Sequence, residues 1–320
     1  MSEINDRKVK LFSLNANIEL AKEISTSSGI PLSLVDVKKF ADGEISMNIS
    51  ESVRGHDVFV VQPTSTPVNE HLMELFIFCD ACKRASAKTI NVVMPYYGYS
   101  RQDRKAKSRQ PITAKLVADF LETCGVGRVI CVDLHAAQIQ GFFNIPIDNL
   151  LAGPILADYF KKKNLENVIV VSPDHGGVTR ARKFAERISN DLAIIDKVRP
   201  EDNKAEVMNI IGQVSGKTAI IVDDIIDTAG TICAAAEALI ENGAIEVYVA
   251  ATHAIFSRDA VEKVTQSVIK EMVVTNTIYK ESLCNCKKIT RISIGNLISN
   301  AIIRILKDEP ISPLFDEVIS

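Results

Sequence analysis

Short apolar runs rich in Val and Ile alternate with amphipathic stretches along nearly the whole chain. Val58–Gln62, Thr89–Met94, Val129–Val132, Val168–Val171, Thr218–Val222 and Val247–Ala251 are brief and bounded by charge or turn residues. Continuous apolar runs of that length predict strands buried on both faces, as in a parallel sheet. Helical periodicity falls between them. Thr113–Cys124 places Leu116, Val117, Phe120, Leu121 and Cys124 on one face, with Gly125 as a stop. Thr231–Glu241 is small and Ala-rich and stops near Gly243, and Leu72 to Cys82 reads as a further helix. A last helical face holds Leu297, Ile298, Ala301, Ile302, Ile305 and Leu306, after which Leu314 and Phe315 are apolar enough to dock. The alternation predicts an α/β fold with central parallel sheets flanked by helices and ligands beyond the carboxyl ends of the strands.

The two halves repeat one another. Val58–Gln62 leads through a Thr/Ser loop and a helix to Thr89–Met94. Thr218–Val222 leads through an Asp/Thr/Gly loop and a helix to Val247–Ala251. Such a repeat predicts two similar domains, 1–149 and 150–304, with the tail 305–320 free to pack on the first.

Composition narrows the function classes. A chain of 320 residues, 47% hydrophobic, is long enough for two ordinary cores. A net charge of −3 gives no global pull toward nucleic acid or an anionic membrane, so an anionic substrate must meet local basic clusters. No apolar stretch is long enough to span a bilayer, and the charged start Met1 to Lys10 lacks the apolar core of a secretion signal. Seven cysteines, an odd number, fit no disulfide framework and suit a reducing cytoplasm. Cys79-x-x-Cys82 lies in the predicted apolar helix, which argues for buried sulfur rather than structural zinc, with Cys284-x-Cys286 elsewhere.

Ile220 to Thr231 reads IIVDDIIDTAGT. The strand delivers Asp223 and Asp224 to its carboxyl end, and Asp227-Thr228-Ala229-Gly230-Thr231 turns into a helix. A Gly/Thr loop at a helix N-terminus offers N–H and hydroxyl donors to a phosphate. Adjacent acids accept hydrogen bonds from vicinal hydroxyls, as on a ribose. An ordinary capped turn accounts for one acid and one Thr. It does not explain a buried strand ending in two acids with a third close behind.

Other stretches carry weaker signals. His135 lies just past Val129–Val132, where an imidazole can reach a nucleotide or its metal, although a lone His there is as readily structural. Phe40-Ala41-Asp42-Gly43-Glu44 offers a ring to stack on a base and a turn for close backbone approach, but Asp-Gly marks ordinary turns too. Tyr99 to Arg109 holds five basic residues in eleven. Such a run reads as solvated surface, an anion site or a nucleic-acid patch, the last without a second basic stripe to support it. Asp174 ends another strand before Gly176-Gly177, whose lack of Cβ lets a backbone approach a ligand, and neighbouring His175 is read as structural. Lys197 and Arg199, two apart, share one side of an extended segment and could neutralise charge in a transition state; routine cations at a strand end are the plainer alternative. Gly212 to Thr218 mimics a phosphate-binding Walker loop but is one residue short between its glycines and precedes a strand.

The acid pair and its loop resemble the ribose-5-phosphate loop shared by phosphoribosyltransferases and ribose-phosphate pyrophosphokinases, and do not separate the two. DLHAAQIQGFFNIP, Asp133 to Pro146, resembles the pyrophosphokinase family, with Asn144 where many members have Asp. FADGE resembles the family's F-S-D-G-E with Ala41 for Ser, Tyr99 to Lys105 resembles its Arg-Gln loop, and Lys197 to Pro200 resembles its K-R-R-P with Val198 for the first Arg. The resemblance, to class I bacterial members, runs from about residue 9 to Phe315 and implies a phosphoribosyltransferase-like fold and a homohexamer.

It further implies a kinase that moves a diphosphate from ATP to ribose 5-phosphate, with Mg²⁺ as cofactor and neither nucleic acid nor membrane as partner. ATP would be held by Phe40, Asp42, Gly43, Glu44, Arg101, Gln102 and Asp103, and metal by His135 and Asp174. Lys197 and Arg199 would be catalytic. Ribose 5-phosphate would be held by Arg199, Asp223, Asp224, Asp227, Thr228, Ala229, Gly230 and Thr231. Arg104, Lys105 and Arg109 would serve regulatory anions. A phosphoribosyltransferase or a non-catalytic relative stays open at this point.

Overall fold

The structure, a computed structural model, describes residues 2–198 and 207–315. Residue contacts divide these into two units. The first holds the residues up to Leu151 with Thr277–Tyr279 and those from Ser293 on; the second holds Ala152–Asn276 and Lys280–Ile292.

In the first unit, β1 (Ser2–Ile4), β2 (Arg7–Ser13), α1 (Ile18–Ser28), β3 (Val35–Lys39), β4 (Ile45–Ile49), β5 (Asp57–Val61), α2 (Val68–Arg84), β6 (Thr89–Val93), α3 (Thr113–Thr123), β7 (Arg128–Val132) and β8 (Ile147–Leu150) follow in order. The sheet runs β1-β2-β5-β6-β7-β8, parallel from β2 onward, while β3 and β4 form a separate hairpin. Alternate strand residues divide between the two faces. Phe12, Val58, Val60, Ile90, Val92, Val129 and Cys131 pack with α2 and α3, where Phe12 meets Phe78 edge-on at 5.1 Å.

The second unit continues with α4 (Gly153–Lys162), β9 (Val168–Ser172), α5 (Val178–Ile188), β10 (Leu192–Val198), β11 (Val207–Ile211), β12 (Thr218–Ile226), α6 (Gly230–Glu241), β13 (Glu246–Ala254), α7 (Ala260–Gln266), β14 (Glu271–Thr275) and β15 (Ile289–Ile292). Its sheet is ordered β11-β10-β9-β12-β13-β14-β15, with only β11 antiparallel to its neighbour. Ile169, Val171, Ala219, Ile221, Val247 and Val249 face α6 and α7. On the opposite parity Tyr248 meets Phe160 of α4, which also packs edge-on against Phe184 of α5. Both faces are covered, which is why the strands read as unbroken apolar runs.

The order β2, β5, β6, β7, β8 recurs as β9, β12, β13, β14, β15. The hairpins that follow β2 and β9 differ. In the first unit the hairpin stands apart and β1 covers β2; in the second it joins the sheet beside β9. The final helix α8 (Gly295–Leu306) departs from the expected domain end at 304. It packs on α1 in the first unit, with Leu297, Ile298, Ala301 and Ile302 buried and Leu314 docked beyond it. Chain order alone does not reveal that return.

Cys79 and Cys82 lie in α2 and are fully buried. Burial pushes the Cys82 thiol up to about 12 and drives Cys79 and Cys131 upward as well. Because the thiolate is the reactive form, these three thiols are expected to stay silent to a disulfide reagent at pH 8 until denaturant is added. Rapid labelling of Cys79 in the native protein would contradict that placement.

Candidate active site

In the second unit the sheet reverses its direction of growth at β9. From β9 the chain builds outward through β10 and β11, then returns to place β12 on the other side. Ligands of open α/β sheets bind beyond the carboxyl ends at such a reversal. The ladder between β9 and β12 stops at Ile221↔Val171, while β12 continues beside β13 to Ile226↔Ala254. Asp223 and Asp224 therefore lie inside the strand, on the stretch that β9 has left, rather than past its end as the sequence suggested.

Arg180, from the first turn of α5, places its guanidinium 3.2 Å from Asp224 and 3.6 Å from Asp223. Gly177 packs close to the end of β9. A Cβ there would stand 3.0 Å from the Ser172 hydroxyl, with Asp174 and Arg180 close behind. The Asp223 side chain keeps 27% of its surface and that of Asp224 only 5%. Burial first, then the charge of Asp224, pushes the Asp223 carboxyl up to about 8, against the pull of Arg180. Burial and the neighbouring Asp224 carboxylate thus favour the protonated over the ionised form of Asp223.

The Asp227–Thr231 loop opens α6 with Ala229 at φ 58, ψ −5. A left-handed Ala costs about 1 kcal/mol and persists only where its surroundings enforce it. Here Ala229 is buried, and the Asp227 carbonyl accepts from Ser257 N–H at 2.9 Å. Successive N–H groups in such a turn form an anion-binding concavity. Thr228 and Thr231 are exposed at its rim. Asp174 is exposed beyond β9, its Oδ1 accepting from Gly177 N–H at 2.8 Å. Lys197 lies within β10, paired with Met208, and Arg199 lies outside the described residues.

The first unit holds the remaining candidates. Phe40 to Glu44 closes the β3–β4 hairpin, with Phe40 N–H donating to Glu44 O at 2.8 Å and Gly43 at φ 95. Asp42 Oδ1 accepts from Glu44 N–H, and the Phe40 ring is 58% exposed, which leaves its face available for stacking. The basic loop is anchored at Gly98, whose N–H donates to Thr64 Oγ1 at 2.7 Å; an added Cβ would lie 2.5 Å from the Thr64 carbonyl. Arg101 is exposed, and Gln102 accepts from the Thr113 hydroxyl that starts α3. Asp103 accepts from Gln138 Nε2 at 2.8 Å. That bond brings the basic loop against the segment carrying His135, an exposed residue whose approach is fixed by Leu134 N–H donating to Asn149.

The corresponding crevice of the first unit, at the ends of β2 and β5, is filled by its own side chains. Buried Glu74 accepts from Asn15 Nδ2 at 2.8 Å and from Gln62 Nε2 at 2.9 Å, and Gln62 Oε1 accepts from Ala16 N–H. Sequence reasoning missed this filling and missed Arg180. The signal for Arg180 was its place one helical turn beyond the Gly pair.

Among the described residues no group of three or more His, Cys, Asp or Glu could hold a metal, and no helix is long and apolar enough to cross a membrane. His135 in the first unit and Asp174 in the second are each exposed, and Mg²⁺ is usually held by only one or two protein groups, with substrate phosphates and water completing its shell.

Residues 9–125 match the family described as the N-terminal domain of ribose phosphate pyrophosphokinase, and residues 198–316 match the phosphoribosyl synthetase-associated domain. A ribose-phosphate pyrophosphokinase of Bacillus caldolyticus is 62% identical over 97% of this chain and 98% of its own. One of Bacillus subtilis is 58% identical over 98% and 99%. The crystal structure of phosphoribosylpyrophosphate synthetase from Mycobacterium smegmatis superposes with a TM-score of 0.90 at 40% identity, covering 94% of this chain and all of that one.

Asp223→Asn is expected to stabilise the ligand-free protein in a pH-dependent way. A raised native pKa contributes stability that is present below the unfolded carboxyl value and lost as pH rises through the native one. The variant should melt with the parent near pH 4 and about 2–4 °C above it near pH 8.5. Identical melting shifts at both pH values would show that the pair holds no extra proton.

Proposed function

The chain belongs to the ribose-phosphate pyrophosphokinase family, and from that premise we propose that it transfers the β,γ-diphosphate of Mg²⁺-bound ATP to the C1 hydroxyl of ribose 5-phosphate, releasing phosphoribosyl pyrophosphate and AMP. The observation that carries this reading is the acid pair beside Arg180, on a strand that leads directly into the strained loop at the start of α6.

Asp223 and Asp224, once ionised, accept hydrogen bonds from the vicinal ribose hydroxyls. Asp227, Thr228, Ala229, Gly230 and Thr231 surround the 5-phosphate with N–H and hydroxyl donors at the positive end of α6. Arg180 holds the acid pair in place before the sugar arrives. In the first unit, the exposed Phe40 ring stacks on adenine, Asp42, Gly43 and Glu44 shape the turn beneath it, and Arg101, Gln102 and Asp103 meet the nucleotide. His135 and Asp174 would hold Mg²⁺, which when bound neutralises charge on the phosphate oxygens. On this reading the first unit is the nucleotide side and the second the sugar side.

The C1 oxygen forms its new bond to the β-phosphorus as the bond from that phosphorus to the α,β-bridging oxygen breaks. The electron pair leaves with AMP, and the hydroxyl proton passes to solvent or a phosphate oxygen. Little covalent work is asked of the protein, so alignment and charge neutralisation dominate. Lys197 and Arg199 supply positive charge where negative charge builds on the transferring group and its leaving oxygen. A cytoplasmic homohexamer without nucleic-acid or membrane partners completes the proposal.

Mixing the protein with ATP and ribose 5-phosphate, with no nucleobase present, should release AMP; absence of AMP would sink the proposal. Lys197→Ala should cut turnover by about 100-fold or more while ATP binding, followed by calorimetry, stays close to that of the parent. Near-normal turnover would remove Lys197 from the mechanism.

A further inference from the structure

β9 stops pairing with β10 early. Its ladder runs Leu192↔Val170, Ala193↔Val171, Ile194↔Ser172 and ends there. After Ser172 the chain passes through Pro173 into the Asp174–Gly177 turn, where Asp174 Oδ1 accepts from Gly177 N–H. β10 nevertheless continues to Val198, paired along its other edge with β11 through Val198↔Val207. The stretch Ile195–Val198, which includes Lys197, thus extends beyond the sheet's main body with a ladder on one side.

On the side that β9 vacates, His175 Nε2 lies 2.9 Å from Asp196 Oδ1. A carboxylate can only accept, so Nε2 carries the hydrogen and donates. The bond ties the Asp174–Gly177 turn to the strand one residue before Lys197. The two side chains keep 65% and 33% of their surface, and exposed pairs of this kind add little to folding stability. A contact with so little to give the fold, placed between two segments that carry the proposed chemistry, has a geometric use.

We propose that His175 is a positioning residue for diphosphate transfer: through Asp196 it fixes the strand end that presents Lys197 relative to the turn that presents Asp174. The inference rests on the role given to Lys197 above. Small displacements of a group that meets the transition state cost rate more than substrate affinity, and one hydrogen bond joins the two segments past the point where their ladder ends.

The test compares the parent with His175→Ala, Asp196→Ala, the double variant and His175→Gln, whose side-chain amide nitrogen can stand in for Nε2. AMP release should show kcat down about tenfold in each single alanine variant, with KM for ATP and for ribose 5-phosphate within about twofold. The double variant should be no slower than the slower single variant, because both remove the same bond. His175→Gln should recover most of the rate, and all melting temperatures should agree to about 1 °C. An unchanged kcat in His175→Ala, losses that multiply in the double variant, or a fall in kcat that tracks a fall in melting temperature would each overturn the positioning role while the parent stays active. A parent that releases no AMP would overturn the proposed function and this inference together.

Discussion

Two carboxyl groups on neighbouring residues, in a strand flanked by packed helices, are the costliest feature of the second unit. Asp223 and Asp224 are tolerated because β12 outruns β9, which opens a crevice, and because Arg180 reaches into it from α5. Burial and the adjacent charge favour the protonated form of Asp223, and the pair keeps hydrogen-bonding capacity that a polyhydroxylated ligand can use. Burial raises the free energy of the ionised pair, and ligand hydroxyls reaching it would lower that free energy again.

Much of this could be read from the chain. The buried strands and the helix after the Asp-rich loop are legible because parallel strands covered on both faces leave long apolar runs, and Ala229-Gly230 stops one such run abruptly. Adjacent acids after Val222 stand out against that background. What the pattern hid depends on contacts between distant residues. Nothing in the local sequence says that β12 continues through Asp223 to Ile226, because polar residues ordinarily mark a strand's end. The pairing with β13, Asp223↔Ala251 through Ile226↔Ala254, supplies the continuation. The return of α8 to α1 is equally invisible, since an amphipathic face does not name the surface that covers it.

The hairpins show how one topology serves two purposes. The Phe40–Glu44 turn and the segment entered from Lys197 follow equivalent strands, β2 and β9, in the repeated order. In the first unit the hairpin stands apart from the sheet, and its tip exposes an aromatic ring. In the second it is joined to the sheet edge beside β9, with the His175–Asp196 hydrogen bond as a further tie beyond the ladder.

The crevice between β2 and β5 carries its own lesson. Asn15, Gln62 and Glu74 satisfy one another there with no outside molecule. A repeated fold can keep one recognition cleft and close its twin with amide and carboxylate groups from its own chain. Those bonds to Glu74 tie the ends of β2 and β5 to α2, close in the chain to the Thr64 hydroxyl that receives the start of the basic loop.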